Sequence, residues 1–181
     1  TLGIYGLGTI GTIVARIGAA FGMKVLVLGQ EKTAQRAREA GYEVAADKAE
    51  LFERSDVLSL LLRLSPQTRG IVTRDDLARM KPTALLVNTA RAELIQEGAL
   101  VDALRTGRPG FAAVDVYERE PIMAGNHPLL TMPNVLCTHH IAWAEHDTFE
   151  LYFGEAFENL VAFINGTPRS VANPQVLQQR K

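Results

Sequence analysis

The chain carries a single cysteine, Cys137, among 181 residues. It can close no disulfide on itself, and it has too few thiols for a cysteine-rich structural zinc site, so no metal site is expected. Charge of one sign is also missing. Lysine plus arginine number 19 against 20 for aspartate plus glutamate, and the two are interspersed, which argues against a nucleic acid partner and against a charged disordered tail. Long apolar runs are absent as well: Ala84 to Val87 and the nearly unbroken Val57 to Leu62 fall far short of the ~20 residues of a membrane-crossing helix. No repeat and no low-complexity stretch interrupts the chain. These absences predict a protein of a reducing, cytoplasmic compartment with no membrane partner.

What is present is apolar substance and glycine in a telling place. At 47% hydrophobic, the chain can bury one full core and is too short to prefer two domains, so one compact unit is expected. Residues 3 to 11 read Gly-Ile-Tyr-Gly-Leu-Gly-Thr-Ile-Gly, which sets a G-x-G-x-x-G fingerprint at Gly6, Gly8 and Gly11 between a short apolar strand and an apolar helix. Gly6 allows the sharp turn, Gly8 lets backbone approach a pyrophosphate, and Gly11 allows close packing of the helix. The N–H groups of Thr9 and Ile10, at a helix N-terminus, then face the phosphates.

The rest of the chain alternates strands and helices. Strands are predicted at Leu2 to Tyr5, Met23 to Leu28, Tyr42 to Ala45, Val57 to Leu62, Ala84 to Val87, Phe111 to Val116 and Val135 to Thr138. Helices are predicted over Ile10 to Phe21, Thr33 to Ala40, around Leu51 and Phe52, from Thr73 to Met80, from about Gln96 to Leu104, and over residues 147 to 165. Strands that are apolar almost throughout indicate a doubly wound α/β fold, Rossmann-like, with about seven parallel strands and helices on both faces. In such a sheet ligands bind beyond the carboxyl ends of the strands. That rule selects Asn88-Thr89-Ala90-Arg91, Asp115, Glu118 to Pro121 and His139-His140.

These strings resemble a family. Val87-Asn88-Thr89-Ala90-Arg91, Ala113-Val114-Asp115-Val116-Tyr117-Glu118-Arg119-Glu120-Pro121, His127-Pro128-Leu129-Leu130, Pro133-Asn134-Val135 and Thr138-His139-His140-Ile141 are similar to the D-isomer-specific 2-hydroxyacid dehydrogenases, in order and at similar spacing. The resemblance implies a hydride transfer between NAD or NADP and a small 2-keto or 2-hydroxy acid. It implies a catalytic arginine at Arg91, a carboxylate at Glu120, the acid/base histidine at His140, and Asp115 holding the nicotinamide carboxamide. Thr89 falls in the same cofactor-facing loop as Arg91. The resemblance further implies a homodimer, and a substrate domain built largely from a segment ahead of the first strand. Residues 1–181 are therefore read as the dinucleotide-binding domain with its C-terminal helix and tail, taken from a longer polypeptide whose N-terminal substrate domain is absent here. Such a piece is expected to be inactive alone.

Elementary chemistry agrees with those roles. A guanidinium can grip the carboxylate of a 2-keto acid by paired hydrogen bonds and polarise the adjoining carbonyl. The alkoxide left by hydride transfer needs a proton from a group that titrates near neutrality, which histidine does, and a neighbouring carboxylate favours its imidazolium. Departures from the family pattern are Ala92 for the usual glycine after the arginine, His139 for the proline before the histidine, and Trp143 where small residues are usual. His139 is expected to be structural and to point away from its neighbour along an extended segment; Trp143 is read equally as pocket wall or plain packing. At the end of the second strand Gly29 and Gln30 stand where an acidic residue would bind the ribose of NAD, so the choice between NAD and NADP stays open. Two other readings remain: a dinucleotide-sensing corepressor-like interaction protein, and a relative acting on a different substrate such as phosphite. A formate dehydrogenase-like enzyme would carry an amide where Glu120 stands. The apolar stripe of Phe149, Phe153, Phe157, Leu160 and Ile164 is read either as the dimer contact or as the seat of the missing domain.

Overall fold

In the computed structural model, which describes residues 1–179, seven strands form one parallel sheet. They are β1 (Leu2–Tyr5), β2 (Val25–Leu28), β3 (Glu43–Val44), β4 (Val57–Leu60), β5 (Leu85–Asn88), β6 (Phe111–Val114) and β7 (Val135–Cys137), in the order β3-β2-β1-β4-β5-β6-β7. Helices α1 (Thr9–Ala20), α2 (Glu31–Glu39), α3 (Lys48–Arg54), α4 (Arg74–Ala78) and α5 (Ala99–Thr106) connect them, and α6 (His146–Ile164) follows. The order reverses direction at β1, which pairs with β2 on one side and β4 on the other. A crevice opens at such a switch point because the loops leaving the two neighbouring strands run to opposite sides.

Alternation along the strands distributes the core to both faces. Leu2, Ile4, Val25 and Val27 enter one apolar cluster with Ala15 of α1 and Ala37 of α2, while Leu26, Leu58, Leu60 and Leu86 enter the other, with Phe52, Leu77 and Leu104. Each face is closed by its helices, as expected for a doubly wound sheet.

Several boundaries differ from the sequence reading, each for a local reason. Met23 does not begin β2, because its N–H closes α1 on Gly18 O at 3.0 Å. β4 stops at Leu60 and β6 at Val114, so Leu61, Leu62, Asp115 and Val116 belong to the loops above the sheet. α2 begins at Glu31, ahead of Thr33. α5 begins only at Ala99: Gln96 N–H is taken by Val72 O at 2.8 Å, and Gly98, at φ 71°, turns the chain before the helix can start. Thr73 caps α4 through a reciprocal box with Asp76, whose carboxylate also takes Lys48 Nζ at 2.7 Å.

One compact unit was expected, and the structure divides in two: Thr1–Ala142, which contains the whole sheet, and a second unit from Trp143 onward. The cause lies in α6, which has no buried residue; Phe153, Phe157, Leu160 and Ile164 all stay exposed. Within that unit the Trp143 ring packs against Phe149, centroids 5.2 Å apart. No helix among the described residues is long and apolar enough to cross a membrane.

The start of β6 is held from two sides. Asn134 Nδ2 donates to Gly110 O at 2.8 Å, and a Cβ on Gly110 would lie 1.9 Å from the Pro82 carbonyl oxygen. Backbone cannot yield as a side chain can. Gly110→Ala is expected to destabilise the domain by about 1–3 kcal/mol, the usual penalty for overpacking, read from a lower urea midpoint; an unchanged midpoint would contradict the packing described.

Candidate active site

All the candidate residues lie at the carboxyl edge of the sheet. Tyr5 is level with Leu28 and Leu60, so the glycine loop after β1 stands between the loops that leave β2 and β4. Gly6 has φ +101°, and a Cβ there would sit 3.0 Å from Leu61 O. A Cβ on Gly11 would fall 2.3 Å from Gly6 O, so the third glycine serves the approach of helix to loop as well as to the strand. Gly8 differs: a Cβ would meet nothing within 4 Å. It is the N-cap of α1, with no side chain capping the helix and no acidic residue in its first turn. The N–H groups of that first turn, which include Thr9 and Ile10, have no intrahelical acceptor and carry the positive end of the helix dipole. Open space over uncompensated donors is what a pyrophosphate requires, and the loop fits a dinucleotide on this observation.

The loop after β5 is built around Asn88, which is 1% exposed. Its Nδ2 donates to Arg91 O at 3.0 Å and its Oδ1 accepts from Ala90 N–H at 3.1 Å. Asn88 thereby presents Thr89 and Arg91 outward, and Arg91 Nη1 rests on Ala90 O at 2.6 Å. Sequence reasoning gave Asn88 no role; a polar residue ending an otherwise apolar strand was the available signal. Thr89, Ala90 and Arg91 line a 430 Å³ cleft with Ile10 of α1 and Leu61 to Leu64 after β4.

A second cleft, of 670 Å³, opens between the loops after β6 and β7 and is lined by Tyr117, Glu120, Leu130, Cys137, His139 and His140, among others. Here Glu120 Oε2 lies 2.6 Å from His140 Nδ1, and Glu120 Oε1 accepts from Tyr117 N–H at 2.8 Å. Burial raises the Glu120 carboxyl, but hydrogen bonds from His140 and Tyr117 N–H, with the charges of His140 and Arg91, outweigh it and hold the group below the usual carboxylate range. Glu120 and His140 are thus in contact, while Arg91 lines the adjoining cleft and acts on Glu120 through its field.

Asp115, which the resemblance assigns to the nicotinamide carboxamide, has a structural part as well. It is 2% exposed, and its carboxylate is occupied by the chain itself. Oδ1 accepts from Thr138 Oγ1 and from Ile141 N–H at 2.9 Å, and Oδ2 accepts from Ala142 N–H at 2.9 Å. Burial raises this carboxyl too, and those three donors with the His140 charge bring it below its ordinary value. Asp115 is in effect the anchor of the loop that carries His140. That loop needs one, since His140 has φ 60°, a left-handed conformation unfavourable for a residue with a Cβ. The same φ breaks the extended alternation expected at His139 and His140, so both residues line one cleft. Tyr117 adds a further tie, its hydroxyl donating to Thr138 O at 2.8 Å; burial raises this phenol above its normal range. Among the described residues no cluster of histidine, cysteine, aspartate and glutamate is suited to a metal ion.

Residues 1–142 match the family model described as D-isomer specific 2-hydroxyacid dehydrogenase, NAD binding domain. The chain is 41% identical over 182 aligned residues to the glyoxylate reductase of Aeropyrum pernix, covering all of this chain and 54% of that protein. A Ralstonia solanacearum structure, provisionally assigned as a D-3-phosphoglycerate dehydrogenase, superposes with a TM-score of 0.91 at 56% identity over 97% of this chain and 51% of its own. An acyclic imino acid reductase solved with NADPH and D-Arg superposes with a TM-score of 0.74 at 33% identity, over 94% of this chain and 52% of that one. The chain spans about half the length of the relatives it matches.

Asp115→Asn tests the anchor. An amide offers one acceptor oxygen and turns its NH₂ toward a backbone donor, leaving an N–H unpaired at a cost of about 1–3 kcal/mol. Hydrogen exchange at the Ile141 and Ala142 amides is expected to accelerate by roughly tenfold or more. Because the folded-state carboxyl is held low, the wild-type loop keeps its protection at neutral pH and loses it as pH falls through that lowered value. Unaltered exchange at both amides in the variant would show that the loop is held by something else.

Proposed function

The chain belongs to the D-isomer specific 2-hydroxyacid dehydrogenase family, and we propose that it is the cofactor-holding half of an enzyme that moves a hydride between NAD or NADP and a small 2-keto or 2-hydroxy acid. The observation that carries this reading is the Glu120–His140 contact at 2.6 Å, at the same sheet edge as an uncapped glycine loop and an exposed arginine. The nicotinamide supplies or accepts the hydride when bound. The protein's residues do the rest. Gly6, Gly8 and Gly11, with the N–H groups of Thr9 and Ile10, hold the pyrophosphate; Gly29, Gln30 and Thr89 border the ribose and nicotinamide portions. Arg91 binds the substrate carboxylate and polarises the neighbouring carbonyl. Glu120 accepts from His140 Nδ1–H and fixes the ring, so protons pass between ring and substrate oxygen through Nε2. Asp115 keeps that ring in place.

Intact Arg91, Glu120 and His140 favour an enzyme over a dinucleotide-sensing interaction protein. The whole protein is proposed to work in the cytoplasm, which fits the lone cysteine of these 181 residues, and as a homodimer, for which the exposed Phe153, Phe157 and Ile164 of α6 offer apolar area.

Three substitutions in the intact enzyme check the assignment. His140→Ala should lower turnover of a 2-keto acid by about a hundredfold or more. Glu120→Gln removes the charge that favours the imidazolium, the form required for reduction; the upper pH limb of reduction should move down, and oxidation should extend to more acidic pH. An upper limb that stays in place would uncouple Glu120 from the proton. Gly8→Val puts a branched side chain into the open space over the helix end, and calorimetry should find weaker dinucleotide binding in a variant whose melting temperature is little altered; unchanged affinity would remove the loop from the cofactor site.

A further inference from the structure

The 430 Å³ cleft between α1 and the loops after β4 and β5 contains a guanidinium for which the fold has no use. Arg63 follows the last residue of β4 by three positions, and its side chain is exposed. Among the described residues that side chain makes no hydrogen bond or ion pair, whereas Arg54, Arg74 and Arg79 are each held by a carboxylate. The cleft wall is apolar at Ile10, Leu61, Leu62 and Leu64, it carries Arg63 and Arg91, and it includes no carboxylate. Two cations and a helix N-terminus bordering one apolar cleft set up a positive field there. An anion is the ligand such a place selects.

A second observation comes from the other side of the glycine loop. A Cβ on Gly29 would lie 2.4 Å from Thr33 Cγ2 and 2.7 Å from Thr33 Cβ. The branch point of Thr33 is fixed to α2 and cannot rotate away, so position 29 is closed to any side chain unless the helix moves. The carboxylate that elsewhere binds the ribose hydroxyls of NAD, and would repel a 2′-phosphate, has no room here. The nearby Glu31 is exposed and engaged with Arg38 at 3.2 Å, on a helix that also carries Lys32 and Arg36. β2 and β4 flank β1, about 5 Å away on each side, so Gly29 and Arg63 border the phosphate loop from opposite sides.

We propose that Arg63 is a phosphate ligand of the bound dinucleotide, and that with position 29 closed to a carboxylate the chain takes NADP(H) at least as readily as NAD(H). The assignment rests on the dinucleotide reading above and adds to it a residue that neither the glycine loop nor the proton-transferring groups require. A guanidinium meets a phosphate through two parallel hydrogen bonds, and both the pyrophosphate and the 2′-phosphate offer that chemistry.

Calorimetric titration of the intact protein with NAD⁺, NADP⁺, AMP and adenosine 2′,5′-bisphosphate separates the sources. Wild type should bind NADP⁺ no more weakly than NAD⁺, and Arg63→Ala should weaken binding by about tenfold or more, the scale of a lost charged hydrogen bond. Arg63→Lys, which keeps the charge without the fork, should recover part of the loss. A loss confined to NADP⁺ and the bisphosphate assigns Arg63 to the 2′-phosphate; an equal loss for NAD⁺ and NADP⁺ assigns it to the pyrophosphate. Unchanged affinity for both dinucleotides in a folded Arg63→Ala variant, or tighter binding of NAD⁺ than of NADP⁺ by wild type, overturns the proposal while leaving the dinucleotide site standing. Binding of neither dinucleotide by wild type overturns both.

Discussion

A buried carboxylate at the end of β6 governs the geometry of this sheet edge. Asp115 gathers the Thr138 hydroxyl and the N–H groups of Ile141 and Ala142, and so ties the loop leaving β7 to the neighbouring strand. His140 lies between those donors in a left-handed conformation that costs roughly 1–2 kcal/mol; hydrogen bonds to a charged acceptor, about 1.5–3 kcal/mol each, are sufficient to hold it there. Glu120 then meets the ring from the loop after β6, itself fixed by Tyr117 N–H. Two carboxylates thus divide the work: one shapes the backbone that carries the imidazole, the other orients the imidazole. Both are held below their ordinary range by the groups they serve, so both remain acceptors throughout the neutral region.

The opposite end of the site relies on backbone instead of side chains. α1 starts at Gly8 without a cap, its first turn carries no acidic residue, and the space above it is open. On the proposed reading, anion affinity there would come from oriented N–H groups, which no single side-chain substitution deletes, whereas added bulk at Gly8 would block them directly. The crevice is a product of topology: β1 sits between β2 and β4, so the glycine loop faces loops that diverge.

The fold was legible because almost every level agreed. Apolar strands, helices of regular period and the glycine fingerprint all pointed to a doubly wound sheet, and the motif strings placed Glu120 and His140 where the structure brings them together. What escaped sequence reasoning depended on distant atoms. The closing of α1 by Met23, the late start of α5 at Ala99 and the loop-building part of Asn88 each rest on hydrogen bonds to residues whose proximity no local pattern announces. Resemblance offers a ligand contact for Asp115, and the anchoring part that it also plays is visible only from its burial and three donors. Arg63 drew no notice after an apolar run, since an isolated charge beyond a strand usually means only a solvated turn. The division at Trp143 was hidden by composition: α6 looks like core material, yet none of its residues is buried.

Central to the proposed function is an imidazole whose Nδ1 is committed to Glu120, with Nε2 proposed as the nitrogen that exchanges protons with substrate. Nitrogen-15 NMR of the histidine rings in the intact protein reads the tautomer directly, from the shifts of the two ring nitrogens when the imidazole is neutral. The account predicts that neutral His140 carries its hydrogen on Nδ1, with coupling across the hydrogen bond lost in Glu120→Ala. A neutral ring protonated on Nε2, or a tautomer indifferent to removal of the Glu120 carboxylate, would contradict it.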